Sequence, residues 1–236
     1  MATSGSVDFS IDRNGIINAA LRLIRKLPEG GTATATQISD AAEALNLMVK
    51  TWQADGLQLW ALKRSSFSMV ASQANYTVTA MGINRPLRIK QAFIRNTSSG
   101  ADSPVRIITR EEYWSLGNKS STGTPTLLYY DPQLTAVLSM VYLYPAPDAT
   151  AASDYTLHII YSRPFEDFDA STDTPDFPQE WYEAIKYGLA VRLAPEYGVP
   201  LDIRNDLKSD LAVIKRQVMN FDQEDGSIFF VPDMGR

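Results

Sequence analysis

Near the N-terminus, apolar side chains recur at steps of three and four residues, the period of an amphipathic helix. The first predicted helix begins after Asp12, a residue suited to capping, and ends at the Pro and Gly residues of 28–31. The second begins after Thr36 and ends at Gly56. The short link between them predicts an antiparallel hairpin. The apolar positions are Ile16, Ile17, Ala20, Leu23, Ile24 and Leu27, then Ile38, Ala41, Ala42, Leu45, Met48, Val49 and Trp52.

Between residues 62 and 165 the period changes to two, which is typical of β-strands. One run, 134–144, is apolar on both faces and is therefore predicted to be a central strand. Residues 110–116 are expected to form a short helical turn between strands. The predicted strands are 67–70, 76–79, 87–95, 105–109, 127–130, 134–144 and 155–162.

Helical periodicity returns after residue 177. Pro178 is the predicted start of the third helix, because proline suits the first turn of a helix. In the third helix, Ala184 and Gly188 are small enough to let another helix approach closely. The fourth helix spans 202–219, and its apolar stripe consists of Ile203, Leu207, Leu211, Ile214 and Val218.

This order of elements predicts an α+β protein. We expect a helical bundle built from the N- and C-terminal helices, with an inserted antiparallel β-sandwich or open barrel. The predicted domains are 1–61 and 167–219 for the two parts of the helical body and 62–166 for the β domain. Residues 220–236 are expected to form an extended tail.

Composition excludes several classes of protein. The 236-residue chain has no cysteine, so disulfides and thiolate chemistry are absent. It shows neither a secretory signal nor an apolar run long enough to span a membrane. Its formal charge is −5 and its Lys and Arg residues are scattered, which disfavours a tight grip on a DNA backbone.

Candidate catalytic residues do not assemble into a motif. His158, the single histidine, lies within a strand and lacks a nucleophile-elbow pattern. Asp167, Asp169, Ser171 and Asp173 alternate like the start of a calcium loop, but Thr172 and Pro178 occupy its glycine and glutamate positions. The adjacent Glu111 and Glu112 diverge, whereas a glycosidase pair must flank one bond. We therefore expect no enzyme, no metal and no cofactor.

Tyrosines gather in three of the predicted strands. A packed sheet face explains them most simply, and an interaction surface is the alternative, since Tyr buries area while keeping a polar tip. They are Tyr129, Tyr130, Tyr142, Tyr144, Tyr155 and Tyr161.

Three groups of short segments resemble the head-to-tail adaptor proteins of short-tailed bacteriophages, the tail accessory factor or tail tubular protein A-like family. The first group is INAALRLI at 17–24, AAEALNLM at 41–48 and WQADGL at 52–57. The second is LYPAPD at 143–148 and YSRP at 161–164. The third is FPQEW at 177–181 and LAVRLAPEYG at 189–198. They follow the expected order and are spread over most of the chain.

The resemblance implies a structural virion protein, made in the host cytoplasm and placed in the tail neck. It implies a homo-oligomeric ring, typically of twelve copies, between the portal protein and the tail nozzle, through which DNA passes without specific binding. Helical bodies would pack side by side, which makes Ile203, Leu207, Leu211, Ile214 and Val218 subunit-interface candidates. The C-terminal segment would reach the portal through Phe221, Ile228, Phe229, Phe230 and Val231.

The apolar cluster at 228–231 also suits docking as an added strand or anchor, with folding back onto its own domain as the alternative. Two further functions stay open from the residues alone. One is a cell-wall glycan hydrolase that uses Glu111 or Glu112. The other is a carbohydrate-binding β-sandwich that uses the tyrosine-rich strands.

Overall fold

A computed structural model describes residues 5–54 and 59–221, without the side chain of Leu59. The chain divides into two compact units, one built from both ends of the chain (1–59 and 165–236) and the other from residues 60–164. The described helices are α1 (Arg13–Leu23), α2 (Ala35–Ala54), α3 (Arg110–Ser115), α4 (Ala149–Asp154), α5 (Tyr182–Leu193) and α6 (Leu201–Phe221), with 3₁₀ turns at Leu59–Ala61 and Gln179–Trp181. The described strands are β1 (Leu62–Ser68), β2 (Asn75–Thr77), β3 (Arg88–Asn96), β4 (Asp102–Ile107), β5 (Thr122–Gly123), β6 (Leu127–Asp131), β7 (Met140–Tyr144), β8 (Ala146–Pro147) and β9 (Tyr155–Ser162).

The ends of α1 and α2 are set by local hydrogen bonds. Asp12 caps α1 as predicted, because its Oδ1 accepts from the Gly15 amide at 2.7 Å. The helix ends before the predicted Leu27: Arg25 adopts a left-handed conformation (φ 58°), and the Lys26 amide bonds to the Leu21 carbonyl.

The predicted cap of α2 is wrong by two residues. Thr34, not Thr36, forms a capping box with Gln37, whose Oε1 accepts from the Thr34 amide at 2.9 Å. Thr36 lies inside the first turn. The predicted end at Gly56 falls outside the described residues.

Helix α5 is the centre of the helical unit, where it packs against α1, α2 and α6. Its small residues permit this, as predicted. A Cβ added to Gly188 would lie 2.6 Å from Cζ2 of Trp52 and 2.7 Å from Sδ of Met48. Trp52 is 7% exposed, and its ring centroid lies 6.1 Å from that of Trp181. A side chain at position 188 would therefore displace Trp52 or Met48 at the close contact between α5 and α2.

Seven strands of the β unit form one curled mixed sheet in the order β1-β9-β3-β4-β6-β7-β2, and β5 and β8 form a separate two-stranded sheet. This confirms the α+β class with an inserted sheet. The prediction of a wholly antiparallel arrangement is corrected at β4 and β6, which pair in parallel, as do the two short strands β5 and β8. The cause is the crossover between β4 and β6, where α3 returns the chain to its starting direction.

The long central strand predicted over 134–144 is wrong in its first half. Only Met140–Tyr144 is a strand, and residues 132–139 form a loop. The fully buried Ser139 closes this loop, because its hydroxyl donates to the Thr135 carbonyl at 2.8 Å and its amide bonds to the same oxygen. In β9, Leu157, Ile159 and Tyr161 are buried in the main core, as an alternating strand predicts, and His158 between them is buried as well.

Candidate assembly surfaces

The apolar stripe of α6 faces α5 within the chain. Leu207 and Val218 are buried, at 7% and 8% exposure, and Ile203, Leu211 and Ile214 are half-buried. Two of the five subunit-interface candidates, Leu207 and Val218, are therefore buried within the helical unit, and the other three keep part of their surface exposed.

Of the portal-interface candidates, the structure describes Phe221 alone. It is the last residue of α6 and is 76% exposed. Ile228, Phe229, Phe230 and Val231 lie outside the described residues. An exposed phenylalanine at the end of a helix is apolar surface that the described part of the chain leaves uncovered.

A cluster of aromatic rings covers one face of β6 and β7. Tyr113 of α3 packs against Tyr129 of β6 and Tyr142 of β7, with ring centroids 5.4 and 5.1 Å apart. The neighbouring Trp114 is 56% exposed, and the ammonium of Lys119 lies 5.3 Å from its ring centroid. Trp114 is therefore the part of this cluster that a partner can contact.

The six tyrosines of the predicted cluster divide between the two faces of the sheet. Tyr130, Tyr155 and Tyr161 pack against the main core, whereas Tyr129, Tyr142 and Tyr144 belong to the small cluster beneath α3. None is fully exposed. Burial raises the pKa of Tyr129 and of Tyr130, so these phenols stay protonated at neutral pH. Their arrangement fits sheet packing better than an open binding face.

The loop 132–139 is an exposed apolar surface that sequence reasoning missed. Leu134, Val137 and Leu138 are 86%, 65% and 59% exposed. The Ser139 hydroxyl also accepts from the Gln133 amide at 3.0 Å, which holds the base of the loop. One sequence signal was available: a run of eleven residues is about twice the usual length of a strand.

Of the candidate catalytic residues, His158 packs within the sheet and Glu112 caps a helix. The ring of His158 stacks on Phe93, with centroids 4.9 Å apart, and burial, followed by nearby Arg95 and Arg64, lowers its pKa. Glu112 completes the capping box of α3 with Thr109, while Glu111 is exposed.

The acidic loop shows no calcium geometry among its described residues. Asp173 Oδ2 accepts from the amides of Asp169 and Ala170, at 2.8 and 2.6 Å, and so closes a turn. In the described ranges no three His, Cys, Asp or Glu residues lie close enough to hold a metal ion.

Charge is divided unevenly between the two units. Residues 60–164 contain ten Lys or Arg and six Asp or Glu, a formal charge of +4. The remaining residues contain 12 Lys or Arg and 21 Asp or Glu, a formal charge of −9. Any electrostatic attraction to DNA is therefore expected at the β unit.

The described chain combines a helical unit built from both chain ends with an inserted curled sheet, and large apolar side chains are exposed at the loop 132–139, at Trp114 and at Phe221. The chain belongs to the SU10 adaptor protein family, whose family model matches residues 14–220. This confirms the resemblance to phage head-to-tail adaptors. No curated protein matches the chain. Among the described helices, none combines the length and apolar character needed to cross a membrane.

Proposed function

We propose that this protein forms a ring, of twelve copies, between the capsid portal and the tail nozzle in the neck of the virion. The ring retains packaged DNA and gives it a passage during ejection. Membership of the adaptor family, matched over 14–220 of 236 residues, carries the proposal. In this account the protein is made in the host cytoplasm and acts as a structural component.

The exposed surfaces suit an adaptor with partners at more than one place. The apolar loop 132–139 of the β unit is assigned to the next tail protein, because three large apolar side chains on a hydrogen-bonded loop form a preorganised contact. The described part of the chain leaves this apolar tip uncovered.

The C-terminal segment is assigned to the portal. Phe221 already presents an apolar ring at the end of α6. Beyond it, the polar residues 222–227 precede the apolar group Ile228, Phe229, Phe230 and Val231. Aromatic and β-branched residues suit an anchor that fills a pocket or adds a strand to a partner.

The test uses capsids that carry the portal but lack this protein. Deletion of residues 226–236 is expected to leave the protein folded, as judged by circular dichroism, and to abolish its attachment to these capsids. A matched control, Asp233→Asn, changes the same segment without touching the apolar group and is expected to attach normally. A truncated protein that attaches like the full chain places the anchor elsewhere. A truncated protein that loses stability as a monomer shows instead that the segment folds back on its own unit.

A further inference from the structure

The N-terminal half of α6 separates its charges onto two opposite edges. Acidic and basic residues alternate at every second position: Asp202, Arg204, Asp206, Lys208 and Asp210. Residues two apart on a helix point about 200° away from each other, so opposite charges at this spacing cannot pair. We call Asp202, Asp206 and Asp210 the acidic edge, and Arg204 and Lys208 the basic edge.

The acidic edge faces outward beside the apolar stripe that packs on α5, whereas the basic edge is partly turned toward its own chain. Lys215, about 20° around the helix from Lys208, has its ammonium 4.8 Å from the ring centroid of the buried Trp52. The three acidic side chains and Lys208 are exposed, and Arg204 is half-buried. Within the described residues, no salt bridge involves Asp206, Lys208 or Asp210. Like charges four residues apart repel each other on a helix, and a partner of opposite charge that covers either edge would relieve this repulsion.

Each edge also carries apolar surface. Val213, 52% exposed, lies about 20° around the helix from Asp206. Met219, 38% exposed, lies about 20° from Lys208 on the other side. A second helix can therefore bury apolar side chains and pair charges at the same contact.

We propose that the acidic edge of α6 in one copy packs against the basic edge of α6 in the next copy. An anionic partner such as DNA would use the basic edge alone, whereas a second copy satisfies both edges. Because the edges lie on opposite sides of the helix, one neighbour cannot cover both, and the contact repeats head to tail. Such a heterologous contact closes into a ring when its rotation permits. The inference rests on the proposed function in taking an adaptor to contain several copies.

Charge exchange at two exposed positions tests the contact. Where Asp206 of one copy faces Lys208 of the next, Asp206→Lys places two ammonium groups opposite each other and Lys208→Glu places two carboxylates opposite each other. Each variant is therefore expected to associate about tenfold more weakly than the wild type. The variant carrying both changes restores opposite charges and is expected to recover association. An equimolar mixture of the two single variants is also expected to recover it, with the copies alternating. Arg216→Glu is the matched control, because Arg216 is exposed and lies about 80° from both Asp206 and Lys208.

Association is measured by sedimentation velocity of the full chain at low and high salt, and by electron microscopy of the same variants on capsids that lack the adaptor. Wild-type assembly beyond the dimer that weakens with salt, together with loss and recovery in the variants, supports the inference. Single variants that assemble like the wild type, a double variant that does not recover, or a wild type that assembles in neither setting overturns it. Edge-dependent assembly in solution without attachment to capsids leaves this inference standing and overturns the adaptor role.

Discussion

Replacing Gly188 by alanine probes the contact between α5 and α2. An added Cβ would lie 2.6 Å from Cζ2 and 2.9 Å from Cη2 of Trp52, closer than nonbonded carbon atoms approach. Met48 Sδ, at 2.7 Å, belongs to a flexible side chain that can move aside. The indole is buried and broad, so it cannot move without disturbing its neighbours.

Two opposing terms set the size of the effect. Alanine gains about 1 kcal/mol over glycine in a helix interior. Overpacking a close contact costs about 1–3 kcal/mol. The net loss in the free energy of unfolding is therefore about 0–2 kcal/mol. In a Trp52→Phe background the outer indole ring is gone, and the same Gly188→Ala change is expected to stabilise by about 1 kcal/mol. The coupling between the two positions is then about 1–3 kcal/mol.

The assay is urea denaturation of the four members of this cycle, followed by circular dichroism at a helical wavelength. Ala212→Gly is the matched control, because Ala212 is exposed in α6 and the change measures the helix term alone, about 1 kcal/mol lost. If Gly188→Ala stabilises equally in both backgrounds, Trp52 does not restrict α5 and the described packing is refuted.

Three other perturbations follow from the structure. Trp52→Ala is expected to reduce the free energy of unfolding by about 3–5 kcal/mol, since the side chain is buried, and a loss below about 1 kcal/mol in urea denaturation would place Trp52 at the surface. His158 is expected to titrate by NMR with a pKa below its ordinary value of about 6.5. The unfolded chain then binds more protons than the folded chain, so the free energy of unfolding falls as the pH is lowered below about 6.5. A His158→Gln variant is expected to lose this dependence on pH. A titration above 6.5 would contradict the buried placement. The free protein is expected to bind duplex DNA weakly at physiological salt. Free passage of DNA would be contradicted by tight binding that depends steeply on salt and is lost when the Lys and Arg residues of 60–164 are neutralised.

Sequence periodicity predicted the helices well because their apolar residues have one packing direction. The cap at Asp12 and the close helix contact at Gly188 depend on the residue type at one position, so both could be predicted from the sequence. The strand predicted at 134–144 failed because Leu134, Val137 and Leu138 are apolar yet exposed, and composition alone cannot distinguish such residues from a core strand. The hydroxyl of Ser139, whose hydrogen bonds form the loop, has no signature in the hydrophobic pattern.

The assembly surfaces were only partly predictable for a related reason. The stripe of α6 was recognised from its spacing, but spacing does not say whether such a stripe faces its own chain or another copy. The structure shows that Leu207 and Val218 of this stripe are buried within the helical unit, while Ile203, Leu211 and Ile214 are half-buried. Once the inward face of α6 is known, the alternating charges at 202–210 separate into two edges.

Electron microscopy of portal-bearing capsids mixed with the purified full chain tests the adaptor role most directly. Capsids purified without this protein are imaged before and after its addition, and the portal vertices are averaged. The adaptor account predicts a new ring-shaped density at the portal vertex and at no other vertex. Capsids whose portal vertex is unchanged at saturating protein, or protein bound evenly over the shell, would contradict it.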